Sequence, residues 1–89
     1  MKLHRLGQNA HTLETSAGAL LFSYEKAVAL RLGVSVFRLP GECWTTATRA
    51  HLTRFLGGSA QGSTAVVPKD FARYTRVILE AGLRDLEQR

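Results

Sequence analysis

Three histidines, one cysteine and seven carboxylates are the side chains from which this 89-residue chain could build a catalytic or metal centre. His4, His11 and His51 are scattered without the close pairing that zinc ligands use, and Cys43 is the only thiol, so neither a four-ligand site nor an internal disulfide can be assembled. Cys43 and His51 have the residue types of a nucleophile and its base. A thiol just ahead of a helix and beside Trp44 is, however, more commonly packed and inert. Glu14, Glu25 and Glu42 are separated by turns and give no acid–base pair. The glycines at 57, 58 and 62 lack the GKS or GKT ending of a phosphate-cradling loop and do not lead from a strand into a helix. The chain therefore reads as non-enzymatic, with no cofactor and no metal.

The basic residues are more informative. Lys69, Arg73 and Arg76 fall on one side of a helix, within an arc of about 60° at helical spacing, interrupted only by Glu80. Arg49 and Arg54 flank the outer face of an earlier helix, and no carboxylate lies between Glu42 and Asp70 to neutralise them. If the helices lie side by side, all of these cations share one surface suited to an acidic protein or to phosphates. Aromatic residues interleaved with the cations, as single-strand binders use, are not evident. A second candidate contact is the hairpin tip of Leu32, Gly33, Val34 and Ser35, apolar where Asn, Asp and Gly are usual. Trp44 reads as a residue of the helix entry, packed more readily than exposed.

These residues need elements to position them. Leu20, Phe22 and Tyr24 alternate with Leu21 and Ser23, Val28 and Leu30 alternate with Ala29 and Arg31, and Val36 to Leu39 run up to Pro40 and Gly41. The pattern predicts an antiparallel meander of three to four strands over about residues 11–39, with one apolar face that must be covered. Thr45 and Thr46 are N-cap residues for a helix over 45–56 that Gly57 and Gly58 stop, its packed side formed by Trp44, Thr48, Leu52, Phe55 and Leu56. Residues 57–64, GGSAQGST, read as a flexible loop. Pro68 and Asp70 open a second helix over 68–81, with Phe71, Tyr74, Ile78 and Leu79 buried and Gly82 ending it. The expected fold is α+β, one domain over residues 1–89.

Composition agrees with that size and class. Apolar residues make up 45% of the chain and charged residues 21%, a globular balance. No apolar run approaches the ~18 residues of a membrane span. The N-terminal stretch lacks the apolar centre of a signal peptide, and a lone thiol suits a reducing compartment, so the expected location is cytoplasmic. A formal net charge of +5 invites an acidic partner or nucleic acid and also serves solubility.

Two segments, LLFSYEKAVALR at Leu20 to Arg31 and CWTTATRAHLTRFL at Cys43 to Leu56, preceded by LGQNAHTLE, resemble a family of small tailed-bacteriophage proteins. In that family an FSY strand leads to PVA and an arginine, and a Trp or Tyr with Thr-Thr, a basic residue and His opens a helix. The resemblance covers roughly the first two thirds of the chain. The chain departs from it with Ala27 in place of proline, Ala47 and Thr48 inside the Thr-rich turn, and its apolar hairpin tip. The family has no assigned activity, so the resemblance implies a phage source, a sheet-plus-helix fold and no catalytic residues.

Three roles follow as expectations. The first is a phage accessory protein that binds and inhibits a host protein or ribonucleoprotein complex in the host cytoplasm, a defence complex of the CRISPR–Cas kind being one candidate. Its contacts would be Leu32, Val34, Arg49, Arg54, Lys69, Arg73 and Arg76. The others are a basic nucleic-acid-binding module and a minor virion or assembly protein that self-associates through a sheet edge or its second helix.

Overall fold

The computed structural model describes residues 2–40, 45–57 and 62–87. Five strands follow one another, β1 (Lys2–Gly7), β2 (Ala10–Thr15), β3 (Gly18–Ser23), β4 (Lys26–Leu32) and β5 (Ser35–Arg38). Helix α1 (Thr46–Phe55), strand β6 (Ser63–Ala65) and helix α2 (Pro68–Glu87) complete the chain. The strands form one sheet in chain order. Pairing is antiparallel from β1 to β5 and parallel between β5 and β6, which is why a crossover containing α1 has to separate the last two.

The α+β class stands, and the sheet is larger than the sequence pattern suggests. β1 and β6 lie outside the expected meander. β1, KLHRLG, carries three basic or titratable side chains and is mostly exposed, so it shows no apolar alternation. β6 has only three residues, at the end of the segment read as a loop, and residues 58–61 of that loop lie outside the described residues.

The central strands explain the architecture. Leu20 and Leu21 are adjacent and both wholly buried, and adjacent strand residues point to opposite faces. Leu20 packs with Leu30, Phe71 and Ile78, whereas Leu21 packs with Val28, Ala29 and Leu52. The sheet is thus sandwiched, with α2 on one face and α1 on the other. A bulge keeps both sets in place: Leu21 opposes Ala29 and Phe22 opposes Ala27, leaving Val28 as the extra residue. Val28 and Ala29 both serve the α1 side, while Ala27 and Leu30 serve the α2 side. The helices therefore do not lie side by side, and the surface expected to unite Arg49 and Arg54 with Lys69, Arg73 and Arg76 does not form.

Both helices keep most of their expected residues. Thr45 is the N-cap of α1, its hydroxyl accepting from the Thr48 N–H at 3.2 Å. Helix α2 runs through Gly82 to Glu87, beyond the expected stop. Ala81 and Gly82 are buried there, and Leu79, expected in the core, is 43% exposed. Small side chains let the last turns approach the sheet, so the buried stripe passes through 78, 81 and 82 and leaves Leu79 on its flank. The Ser16 N–H donates to Asp85 Oδ2 at 2.9 Å, tying the end of α2 to the β2–β3 turn.

Two outcomes test this packing. At Gly18 a methyl group would overlap the backbone carbonyl oxygen of Arg31 on the neighbouring strand. Gly18→Ala should lose about 2 kcal/mol or more in urea unfolding, since backbone cannot yield as a side chain end can. The hydrogen bonding from Ser16 holds the Asp85 carboxyl below its usual value. A lowered native value stabilises above the unfolded one and is lost as pH falls through the native one. The thermal midpoints of the parent protein and Asp85→Asn should therefore differ at neutral pH and converge below about pH 4.

Candidate functional site

Two tight turns lie together at one end of the sheet. Gln8 and Asn9 join β1 to β2, and Tyr24 and Glu25 join β3 to β4. The Tyr24 N–H donates to the Asn9 carbonyl at 2.6 Å, locking the two turns to each other. Asn9 and Tyr24 are the non-glycine residues with positive φ among the described residues, each at 60°. Asn tolerates that region, but a bulky aromatic there is a true outlier that costs about 1–3 kcal/mol and must be held by its surroundings. Tyr24 is nevertheless 52% exposed. Its strain is not compensated by burying the ring.

Helix α1 closes the other side of this end. Ser23, the last residue of β3, is buried with its Oγ 2.8 Å from His51 Nδ1 and 3.0 Å from Thr48 Oγ1. Thr48 Oγ1 lies 3.2 Å from Thr45 Oγ1, which accepts from the Thr48 N–H. The three hydroxyls and the imidazole thus form one continuous hydrogen-bonded chain, Thr45–Thr48–Ser23–His51, in which each hydroxyl has one hydrogen to give and two lone pairs to receive with. Ser23 and His51 have nucleophile–base spacing, yet the Ser23 oxygen sits inside the helix–sheet contact. The arrangement pins α1 to β3.

Between the pinned helix and the two turns lies an open cleft of about 380 Å³ lined by Gln8, Asn9, Tyr24, Ala50, His51 and Arg54, among others. The Tyr24 and His51 rings stand 6.0 Å apart and tilted. Arg54 Nη1 donates to the Leu6 carbonyl at 3.3 Å, crossing above Gly7, where any Cβ would collide with that nitrogen. Gly7 is the reason the guanidinium can lie against β1. An exposed aromatic ring, an imidazole and an arginine thus converge on one cleft with amide side chains at its rim.

The expected contact residues are divided. Arg49 and Arg54 are exposed on α1, and Lys69, Arg73 and Arg76 are exposed on α2 across the sheet. Arg73 is paired with Asp70 at 3.2 Å and lies over the Tyr74 ring. At the hairpin tip Gly33 takes φ 60°, as a two-residue turn with glycine first requires, and Val34 is fully exposed. Leu32 is no tip residue: it is half-buried and packs into the α2-side core. Cys43, Trp44 and Glu42 lie outside the described residues. Glu14 is paired with His4 at 3.5 Å, and among the described residues no three His, Cys, Asp or Glu gather as metal ligands.

Charge is also distributed unevenly. Helix α2 carries Lys69, Arg73, Arg76 and Arg84 against Asp70, Glu80, Asp85 and Glu87, so it is neutral and the whole +5 arises elsewhere. Strand register puts Arg38 opposite Ala29, and Arg31 two residues along, on the α1 side with Arg49 and Arg54. Among the described helices none is long and apolar enough to cross a membrane.

The sequence reading missed Gln8, Asn9, Ser23, Tyr24 and His51 as members of one place. A signal was available: the FSY at the end of β3 and its turn, and the Thr-Thr and His at the cap and body of α1, carry the resemblance to the phage family, and they meet here. No family model matches the chain, and no curated protein and no solved structure is significantly similar to it.

Ser23→Ala should cost about 1–3 kcal/mol in denaturant unfolding by stranding Thr48 and His51. Ser23→Thr should recover part of that loss, because it returns the hydroxyl.

Proposed function

We propose that the protein is a non-enzymatic binding protein whose α1 side docks on an acidic surface of a protein complex. Tyr24 and Arg54 are its anchors. The observation that carries this reading is Tyr24, an exposed aromatic held at positive φ on a cleft shared with Arg54 and His51, on the side that also carries Arg31, Arg38 and Arg49. Strain kept at an exposed residue marks a contact that has to be presented in one orientation. Tyrosine and arginine are the side chains that most often dominate binding energy. Arg49 and the strand arginines add attraction that speeds encounter and fades with salt. With the resemblance to small phage proteins, the reading becomes a phage accessory protein that blocks a host complex in the host cytoplasm, with a CRISPR–Cas complex as one candidate target. Val34, exposed at the hairpin tip, is a secondary contact.

Single-stranded nucleic acid is the second reading, favoured by the same pair. Tyr24 beside Arg54 supplies the aromatic platform next to a cation that the linear sequence did not reveal.

Affinity capture from bacterial lysate with and without nuclease separates the two. The parent protein should retain a stoichiometric complex after nuclease, and both Arg54→Glu and Tyr24→Asn should lose it. Tyr24→Asn should meanwhile be as stable as the parent or up to about 1 kcal/mol more stable, since asparagine accepts the left-handed conformation. Capture that vanishes with nuclease, with an affinity that falls as about the third power of salt for some four phosphate contacts, would replace the protein partner with nucleic acid. Capture unaffected by both substitutions would refute the site.

A further inference from the structure

Helix α2 has a second row of side chains that the fold does not use. Its buried face is formed by Phe71, Ile78, Ala81 and Gly82. On its flank, at about 100° per residue, Ala72, Leu79, Leu83 and Leu86 fall within about 60° of one another. All four are exposed, Leu83 by 61%. Their spacing of seven, four and three is that of a coiled-coil seam, and Lys69 and Arg76 occupy the seam positions that remain.

The charges along this row identify what covers it. Lys69 and Arg76 stand in its N-terminal half, whereas Glu80 and Glu87 border its C-terminal half. A partner helix running parallel in register would set like charge against like. An antiparallel copy of the same helix sets Ala72 against Leu83 and Arg76 against Leu79, with Lys69 against Leu86. Glu80 and Glu87 each follow the leucine that such a cation meets. The two long cations then lay their stems on those leucines and reach Glu80 and Glu87 of the other copy. One register satisfies both pairs, and two-fold symmetry makes each of them twice.

We propose that the protein forms a two-fold symmetric dimer through antiparallel packing of α2. The interface is one helix face, at the small end of interface sizes, so the dimer is reversible. It lies across the sheet from the Tyr24 cleft and leaves that cleft free in both copies, and it does not rest on the proposed function. Lys69 and Arg76, expected from the sequence to contact a foreign partner, are given to the second copy.

Sedimentation equilibrium of the full chain over a concentration series tests this, with circular dichroism to show that each variant keeps its helices. The parent should be a reversible dimer. Glu80→Lys with Glu87→Lys makes the row wholly positive, Lys69→Glu with Arg76→Glu makes it wholly negative, and each double variant alone should dissociate at least tenfold more readily. Mixing the two double variants should give a heterodimer, and joining all four changes in one chain should restore the homodimer. A parent that stays monomeric throughout, or a dimer that ignores these reversals, overturns the proposal, the latter outcome pointing to the β1 edge.

Discussion

The arrangement depends on the two-sided burial of β3 and β4. Leu20 and Leu21 cannot share a face, yet both are fully removed from water, as are Leu30 and Ala29 on the next strand. Burying each large side chain stabilises the fold by about 1.5–3 kcal/mol, and one helix can cover only one face. A helix on each side is the consequence. The bulge at Val28 follows from the same need, since it turns two successive residues toward α1 before the alternation resumes.

That sandwich separates two surfaces with different chemistry. Helix α2 has as many carboxylates as cations and spends some of them on Arg73–Asp70 and Arg84–Glu80 pairs along its own length, each exposed and worth little in stability. The α1 side carries Arg31, Arg38, Arg49 and Arg54, and its helix is anchored by a hydroxyl chain that ends on His51. A buried polar chain of this kind specifies one position of α1 on the sheet, because sliding by one residue would leave several donors and acceptors unpaired. The rigidity matters for the cleft: Tyr24 and Arg54 reach it from different elements, and only a fixed helix holds them at a fixed separation.

Much of this was legible in the residues. The Thr45 cap, the packing of Thr48, Leu52, Phe55 and Leu56 and the three strands between Leu20 and Arg38 follow from hydroxyl chemistry and apolar spacing, while Trp44 of the expected packed side lies outside the described residues. The opposite placement of the helices was written in the adjacent Leu20 and Leu21 and in the nearly continuous apolar run of β4, a pattern that marks a sheet covered on both faces. Reading the alternation alone concealed it. β1 had no such signal, because an edge strand with Lys2, His4 and Arg5 is shaped to resist further pairing and not to be buried. Gly82 misled for the opposite reason: its lack of a side chain, usually a stop signal, is here what lets α2 continue along the sheet.

The site was least legible because it depends on backbone conformation. Nothing in the string FSYEKAV announces that Tyr24 has positive φ, since the first position of a tight two-residue turn is ordinarily given to glycine. The Asn9 carbonyl supplies one holding force, and the Ser23 side chain just before the turn supplies another through His51. Strand β3 therefore ends in a residue fixed to α1 and is followed by one fixed to the β1–β2 turn. With Ser23 held through its side chain and Tyr24 through its own N–H, the Tyr24 backbone is kept in the left-handed region. Its ring therefore leaves the turn half-exposed, on the cleft that Arg54 and His51 also line.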